Sequence, residues 1–395
     1  MERKKATPLQ AQRADPVPFL DLRPQHLALR QQFLKAFERV FEQQAFILGP
    51  EVRQFEERFA AFLGAREAVG LSSGTDALLV LLMALGIGPG DEVITSPFTF
   101  VATASVISRL GARPVFADVL PRTYELRPGA VKACLTARTR AVLAVHLFGR
   151  AAELSELQRL CREANVPLLE DCAQACGARR GKKSAGTFGL AGAFSFFPTK
   201  NLGALGDGGA LITDDRHLAE KVRSLRDQGK GPEGKYDFLG GNFRLDSLQA
   251  AALNVKLTHL ESSLDERRQA AANYRRMFAQ TGLCPAEEQT VQPGHRILLP
   301  PQDDDPLSHT YNLFVIEAER RDELERHLLE HNIGCRVYYR RPLHLEPCFS
   351  GLGYRPGDFP VAEAACERVL ALPFFPGITP AQQQAVVDAI RGFYD

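Results

Sequence analysis

The sequence predicts an α/β protein: a large domain built on a mostly parallel sheet between helices, followed by a smaller α+β C-terminal domain. Three observations carry this reading. Short strand-like runs recur at Glu92–Thr95, Pro114–Ala117, Ala141–Val145, Pro167–Glu170, Ala193–Phe196 and Ala210–Thr213, with amphipathic helical patterns between several of them. That alternation favours parallel strands covered on both faces. A stretch dense in Pro, Gln and Asp, Gly282 to Ser308, then separates this region from a second set of strand and helix signals. The length of 395 residues suits two domains and a large buried core.

Taken in order, residues 1–16 carry charges but no apolar run and read as a flexible arm. From Pro24 to Gln44 the spacing of Leu27, Leu29, Phe33, Leu34, Phe37, Val40 and Phe41 predicts a helix, and Glu51 to Phe62 predicts a second, stopped at Gly64. Further helices are predicted at Thr75–Leu85, Val101–Arg109 and Leu154–Ala164, and one or two long ones between Leu245 and Met277. The large domain is placed at 17–280, with the N-terminal helices free to pack on the small domain, and the small domain at 281–395. Within the latter the expected order is strand Tyr311–Glu317, helix Asp322–His331, strand Cys335–Tyr339, then helices Ala362–Leu370 and Pro380–Phe393.

Composition excludes several function classes. With 45% hydrophobic and 24% charged residues the chain is an ordinary globular one, which rules out disordered and collagen-like classes. Its 48 Lys+Arg against 47 Asp+Glu leave a net charge of +1, so no general field attracts nucleic acid or a membrane surface. The longest apolar stretch, Ala77 to Leu85, is about half of the roughly 20 residues a spanning helix needs. The eight cysteines are scattered, and although Cys172 and Cys176 stand at C-x3-C spacing, no second pair follows at zinc spacing. Buried free thiols, no metal, and a soluble cytoplasmic protein are expected.

Four separated features carry chemistry. Ser72-Ser73-Gly74-Thr75-Asp76 opens a helix, and such a turn offers backbone N–H groups and the positive end of the helix dipole to an anion. The same residues also make a plain N-cap. Glu170-Asp171 closes a very apolar strand, at the carboxyl end, where open α/β sheets bind ligands. Gly192-Ala-Phe-Ser-Phe-Phe-Pro-Thr-Lys200 delivers a lysine into a turn containing Gly203, Gly206, Gly208 and Gly209. Flanked by Phe194, Phe196 and Phe197, that lysine is expected to be desolvated, which lowers its pKa and makes it nucleophilic. Gly241-Asn242-Phe243-Arg244-Leu245-Asp246 precedes a long helix and on its own reads as a capped helix start. A phosphate cradle, a strand-end acid and a buried lysine together meet the needs of pyridoxal 5'-phosphate. The acid keeps the pyridine nitrogen protonated, and the lysine forms the Schiff base and moves a proton.

Seven ordered motifs then resemble the DegT/StrS family of sugar aminotransferases, within the fold-type-I group of pyridoxal phosphate enzymes. They are Ile47-Leu-Gly-Pro-Glu-Val52, Ser73-Gly-Thr-Asp-Ala77, Gly88-Pro-Gly-Asp-Glu-Val-Ile94, Thr99-Phe-Val-Ala-Thr103, Glu170-Asp171, Phe194-Ser-Phe-Phe-Pro-Thr-Lys200 and Gly206-Asp-Gly-Gly209. The resemblance implies that Lys200 holds the cofactor and serves as acid/base. It further implies that Asp171 pairs with the pyridine nitrogen, Gln174 sits near the phenolic oxygen, and Phe100 stacks on the ring. Ser73, Gly74, Thr75 and Ser195 would hold the phosphate, and Asn242 would reach it from the neighbouring subunit of a homodimer with shared active sites. Such enzymes move an amino group from L-glutamate to a keto group of a nucleotide-linked hexose. The segment Val337-Tyr-Tyr-Arg-Arg-Pro-Leu-His-Leu345 is similar to the tail of members acting at C3, with C4 as the alternative.

Some positions depart from the family pattern. Cys172, Cys176 and Arg180 stand where an Ala, a His or Phe, and a Tyr are usual, and Arg340 and Arg341 replace a Pro and an aliphatic residue. Paired arginines suit a diphosphate or a sugar carboxylate, or a solvated turn, and with His344 they are the candidate substrate contacts. Among rival functions, a dehydratase of this fold would dispense with the lysine. A regulatory protein that keeps the fold would not need the complete set of Lys200, Asp171, Gln174 and Ser195. A nicotinamide oxidoreductase lacks its glycine fingerprint here.

Overall fold

The computed structural model describes residues 16–231, 233–285 and 296–395. Its elements run α1 (Arg23–Gln43), α2 (Pro50–Leu63), β1 (Glu67–Leu71), α3 (Gly74–Ala84), β2 (Glu92–Thr95), α4 (Ala102–Arg109), β3 (Arg113–Phe116), α5 (Pro128–Cys134) and β4 (Thr139–Val145). They continue with α6 (Ser155–Glu163), β5 (Leu168–Asp171), the short hairpin β6 (Arg179–Arg180) and β7 (Lys183–Ser184), β8 (Ala191–Ser195), β9 (Gly209–Thr213) and α7 (Arg216–Arg226). Then come α8 (Ser247–Thr258), α9 (Leu260–Ala279), β10 (Ile297–Leu298), β11 (Phe314–Ala318), α10 (Arg321–Glu330), α11 (Pro360–Arg368), β12 (Val369–Leu372) and α12 (Pro380–Tyr394).

Seven strands form the main sheet in the order β1-β9-β8-β5-β4-β2-β3. The pairs from β8 to β3 are parallel, whereas β9 runs antiparallel to both β8 and β1. The expected mostly parallel sheet is therefore present, with one reversed strand near an edge. Alternation along the strands feeds two apolar layers. In β4, Ala141 and Leu143 join α3, α4 and α7, while Val142 and Ala144 join α5 and α6. Helix α3 is buried almost all round, from Ala77 to Leu82, as its uniformly apolar sequence requires.

Behind β8 lies an aromatic block. Phe194 and Phe196 meet Phe59 edge-on at 5.2 and 5.3 Å, and Phe55 stacks on Phe59 at 5.3 Å. With both rings on one face of β8, Ser195 between them projects to the other. The two phenylalanines thus pack on α2 rather than wrapping the lysine that follows, and Phe197 is 51% exposed.

Helices α1 and α2 pack on α8, through Leu29 and Phe33 against Ala252 and through Phe55 and Phe59 against Leu253, while the first turn of α1 brings Pro24 beside Gly377. The second half of α9 (Ala270, Ala271, Tyr274, Phe278) belongs to the core of the small sheet, β10-β11-β12, along with α10 and α12. The other face of that sheet, with Val315, Val369 and Ala371, closes on Phe98, Phe116, Val119 and Phe148 of the large domain. Residues Cys335–Tyr339 do not form a strand; a single bridge, Arg336 with Ala371, is made there, and the third strand is β12 instead. The stretch expected as a linker falls partly on residues 286–295, outside the described residues.

Replacing Phe59 by Ala removes the ring on which three others close, and should cost about 3–5 kcal/mol. The check is the chemical-denaturation midpoint, with the half-exposed Leu329→Ala as a control that leaves it unchanged.

Candidate active site

The site lies at the carboxyl ends of the parallel strands. Asp171 ends β5 in the middle of the sheet and is 5% exposed. Its Oδ2 accepts from the Thr103 hydroxyl at 2.8 Å and its Oδ1 from the Ala173 N–H at 3.0 Å. Burial raises its pKa above the usual carboxylate range, opposed by those two donors and by the nearby Lys200 and His146. Lys200 follows β8 in a compact turn closed by Phe196 N–H to Gly208 O and Ala204 N–H to Phe196 O, both at 2.7 Å. Burial depresses its amine to about 8, with Asp171 pulling the other way. The two groups that the sequence nominated for acid/base work therefore face the same space.

Beside them β1 delivers the chain into α3. Ser73 caps that helix, its Oγ accepting from Asp76 N–H at 3.0 Å, while the Ser72 and Ser73 hydroxyls both reach Asp76 Oδ2. The cap reading and the anion reading coexist, because the amides of Gly74 and Thr75 find no acceptor among the described residues. The backbone comes in close here. A Cβ on Gly74 would stand 2.6 Å from Ser195 Cβ, and one on Gly209 would stand 2.3 Å from Ser73 O. Glycine is required at both, and together with Ser195 they leave a small, donor-lined concavity at a helix N-terminus.

Phe100, 56% exposed, lies in the loop just before α4, where its carbonyl accepts from Thr103 N–H at 3.2 Å. Gln174 is held from both ends: Oε1 accepts from Phe148 N–H at 2.7 Å, and Nε2 donates to Tyr339 Oη at 3.2 Å. Tyr339 and Thr103 are site-lining residues that sequence reasoning did not single out, although both lie inside motifs noted for other reasons. His146 stands behind Asp171. Its Nδ1 accepts from Ala152 N–H at 2.9 Å, so a neutral ring carries its proton on Nε2 and donates to Glu170 Oε2 at 2.7 Å. Glu170 also accepts from the amides of Gly186, Phe188 and Gly189. His146, Glu170 and Cys172 offer metal-ligand atoms within 4.8 Å of one another, yet the imidazole nitrogens and carboxylate oxygens are already engaged by protein donors and acceptors.

The remaining candidates lie elsewhere. Arg340 is bound in ion pairs to Asp322 and Glu325 of α10, Arg341 is exposed, and His344 is buried against Glu363 at 3.1 Å. The structure does not bring the two arginines together as a clasp. Asn242 is exposed on a loop with Leu239, which is 94% exposed, and bridges to Asp227 at the end of α7.

The residues present fit pyridoxal phosphate: free helix-terminal amides for its phosphate, a buried carboxylate for its ring nitrogen, and an amine of lowered pKa for its aldehyde. Since the neutral amine is the nucleophile, capture of an aromatic aldehyde such as pyridoxal phosphate should rise with pH, with its midpoint near 8, and level off about one to two units above it. Stopped-flow absorbance across pH 6–10 tests this; a rate still climbing at pH 10 contradicts it.

Comparison with known proteins agrees with this geometry. The model of the DegT/DnrJ/EryC1/StrS aminotransferase family matches residues 28–391. The chain is 42% identical to the pleiotropic regulatory protein of Geobacillus stearothermophilus, over 96% of this chain and 98% of that one. It is 40% identical to the dTDP-3-amino-3,4,6-trideoxy-alpha-D-glucose transaminase of Streptomyces venezuelae, over 95% of each. The crystal structure of S. venezuelae DesV in complex with a ketimine intermediate superposes with a TM-score of 0.90 at 39% identity, covering 97% of this chain and 99% of that one. The chain belongs to the DegT/DnrJ/EryC1/StrS aminotransferase family, and its cofactor is pyridoxal 5'-phosphate.

Proposed function

We propose that this protein moves an amino group from L-glutamate to a keto group, at C3, of a nucleotide-linked hexose. The observation that carries the reading is the meeting of Lys200 and Asp171 at the sheet edge beside the free amides of Gly74 and Thr75. When bound, pyridoxal phosphate supplies an aldehyde that takes up amino groups and a ring that accepts electrons released at Cα. Lys200 would hold that aldehyde and serve as the acid/base, its pKa of about 8 suiting it to accept and give a proton near neutrality. Asp171 would hold the ring nitrogen in its protonated form. Ser195, Gly74 and Thr75 would hold the phosphate, and Gln174, tied to Phe148 and Tyr339, would lie at the ring edge.

Amination at C3 is supported by the product name of the S. venezuelae relative and by the tail segment ending at Leu345. A regulatory reading is favoured by the name of the Geobacillus relative. The complete acid/base pair supports the enzyme. The cytoplasm is the proposed compartment, since all eight cysteines are free thiols in a chain whose described residues include no membrane-spanning helix.

The proposed working unit is a homodimer in which Asn242 completes the partner's phosphate site. The exposure of Phe100, Phe197, Leu205, Tyr236, Leu239 and Leu248 supports it, because large apolar side chains left open in one chain are available for burial against a second. Sedimentation should give a dimer that Leu239→Asp weakens. Mixing Lys200→Ala with Asn242→Ala chains should restore activity that neither shows alone; no restoration would refute the shared site.

For the reaction itself, addition of L-glutamate to purified protein should replace the visible cofactor band by that of the aminated form, and Lys200→Ala should not respond. A stable band untouched by glutamate refutes the donor and favours the regulatory reading. Protein that takes up no pyridoxal phosphate refutes the whole reading.

A further inference from the structure

Thr103 does not do what a helical threonine ordinarily does. Its hydroxyl donates to no backbone carbonyl three or four residues back. It reaches across to β5 and donates to Asp171 Oδ2 at 2.8 Å. A hydroxyl has one proton, so in its 3.1 Å contact with Thr99 Oγ1 the Thr103 oxygen accepts and Thr99 donates. The result is a directed chain, Thr99 to Thr103 to the carboxylate, through side chains that are 2% and 0% exposed. Hydrogen bonds to a charged acceptor in a dry site are strong, and successive donors polarise one another.

We infer that Thr103, backed by Thr99, is a positioning residue that keeps Asp171 ionised and turned toward the cofactor's ring nitrogen. The inference rests on the cofactor reading above. The reason such a device is needed is burial, which by itself favours the neutral acid. Two oxygens are involved: Ala173 N–H fixes Oδ1 and Thr103 fixes Oδ2, which sets the plane of the carboxylate. The other groups that face Asp171 are Lys200 from the turn after β8, His146 from the end of β4, and Tyr339 from the small domain. Glu170 next to it is spent on His146 and three amides, on the opposite side of the strand. Of the side-chain donors to Asp171, Thr103 is the one in direct hydrogen-bond contact. Phe100 lies just before α4, and its carbonyl accepts from Thr103 N–H at 3.2 Å, which ties the loop carrying the ring to the helix carrying the hydroxyl.

The sign is fixed by proton competition. Without the hydroxyl the carboxylate becomes more basic, and the proton it shares with the ring nitrogen moves toward Asp171. The test uses the holoenzyme loaded with cofactor labelled with 15N in the ring, observed by NMR at fixed pH, together with the cofactor dissociation constant. Thr103→Val, close in shape, should shift the ring nitrogen toward the neutral-pyridine position and raise the dissociation constant about tenfold or more. Thr103→Ser should restore both, and Thr99→Val should shift the nitrogen the same way by less. A Thr103→Val protein with the wild-type nitrogen shift overturns the inference, as does a defect that Thr103→Ser fails to rescue while Thr99→Val is silent. Wild-type protein that binds no cofactor sinks this inference along with the reading it rests on; a wild-type ring that loads protonated leaves only the threonine chain in question.

Discussion

A carboxylate buried at the carboxyl edge of the sheet, facing a buried amine, is the constraint around which the large domain is arranged. Burial works against both charges: it raises Asp171 and lowers Lys200 to about 8, and each partly restores the other. Neither group can be placed at such an edge without local compensation. The fold provides it from separate elements, a hydroxyl from α4, an amide from the turn after β5 and the lysine from the turn after β8. The central position of β5, between β4 and β8, is what lets these donors converge.

The phosphate cradle depends on a second constraint, close backbone approach. The start of α3 must come within contact of both β8 and β9, and that is possible only because Gly74 and Gly209 lack a side chain. Strand alternation does the rest. Phe194 and Phe196 anchor β8 in the aromatic block on α2, which leaves Ser195 pointing at the helix terminus. Packing on one face of a strand thus sets polar geometry on the other.

The small domain contributes by closure rather than by charge. Its sheet seats Val315, Val369 and Ala371 against Phe98, Phe116 and Phe148, and carries Tyr339 to Gln174. Of the two tail arginines, Arg340 faces α10, where Asp322 and Glu325 pair with it, whereas Arg341 is exposed.

Much was legible in the sequence because it is governed by local pattern. The six strand runs, the caps and the apolar helices follow from periodicity, and Lys200, Asp171 and the Ser73–Thr75 turn follow from residue types at strand and helix ends. Strand β1 was not, because Gly70 and a charged start weaken its pattern; its place is set by pairing with β9. Nor was the loss of the Cys335–Tyr339 strand, since that segment lies outside β12 at the edge of the small sheet and meets it only through the bridge of Arg336 with Ala371. Helix α5 spans only seven residues and so shows no clear period, whereas α7 does carry Leu218, Val222 and Leu225 at helical spacing. The sequence by itself determined which residue types stand at the strand and helix ends that form the candidate site, because types and positions at element ends are local properties. Tertiary structure alone decided how they are held: that Thr103 reaches a carboxylate 68 residues away, that Tyr339 meets Gln174 across 165, and that Arg340 is spent on α10. Contacts at such separations depend on how the sheet and the two domains pack, and no short-range pattern encodes them.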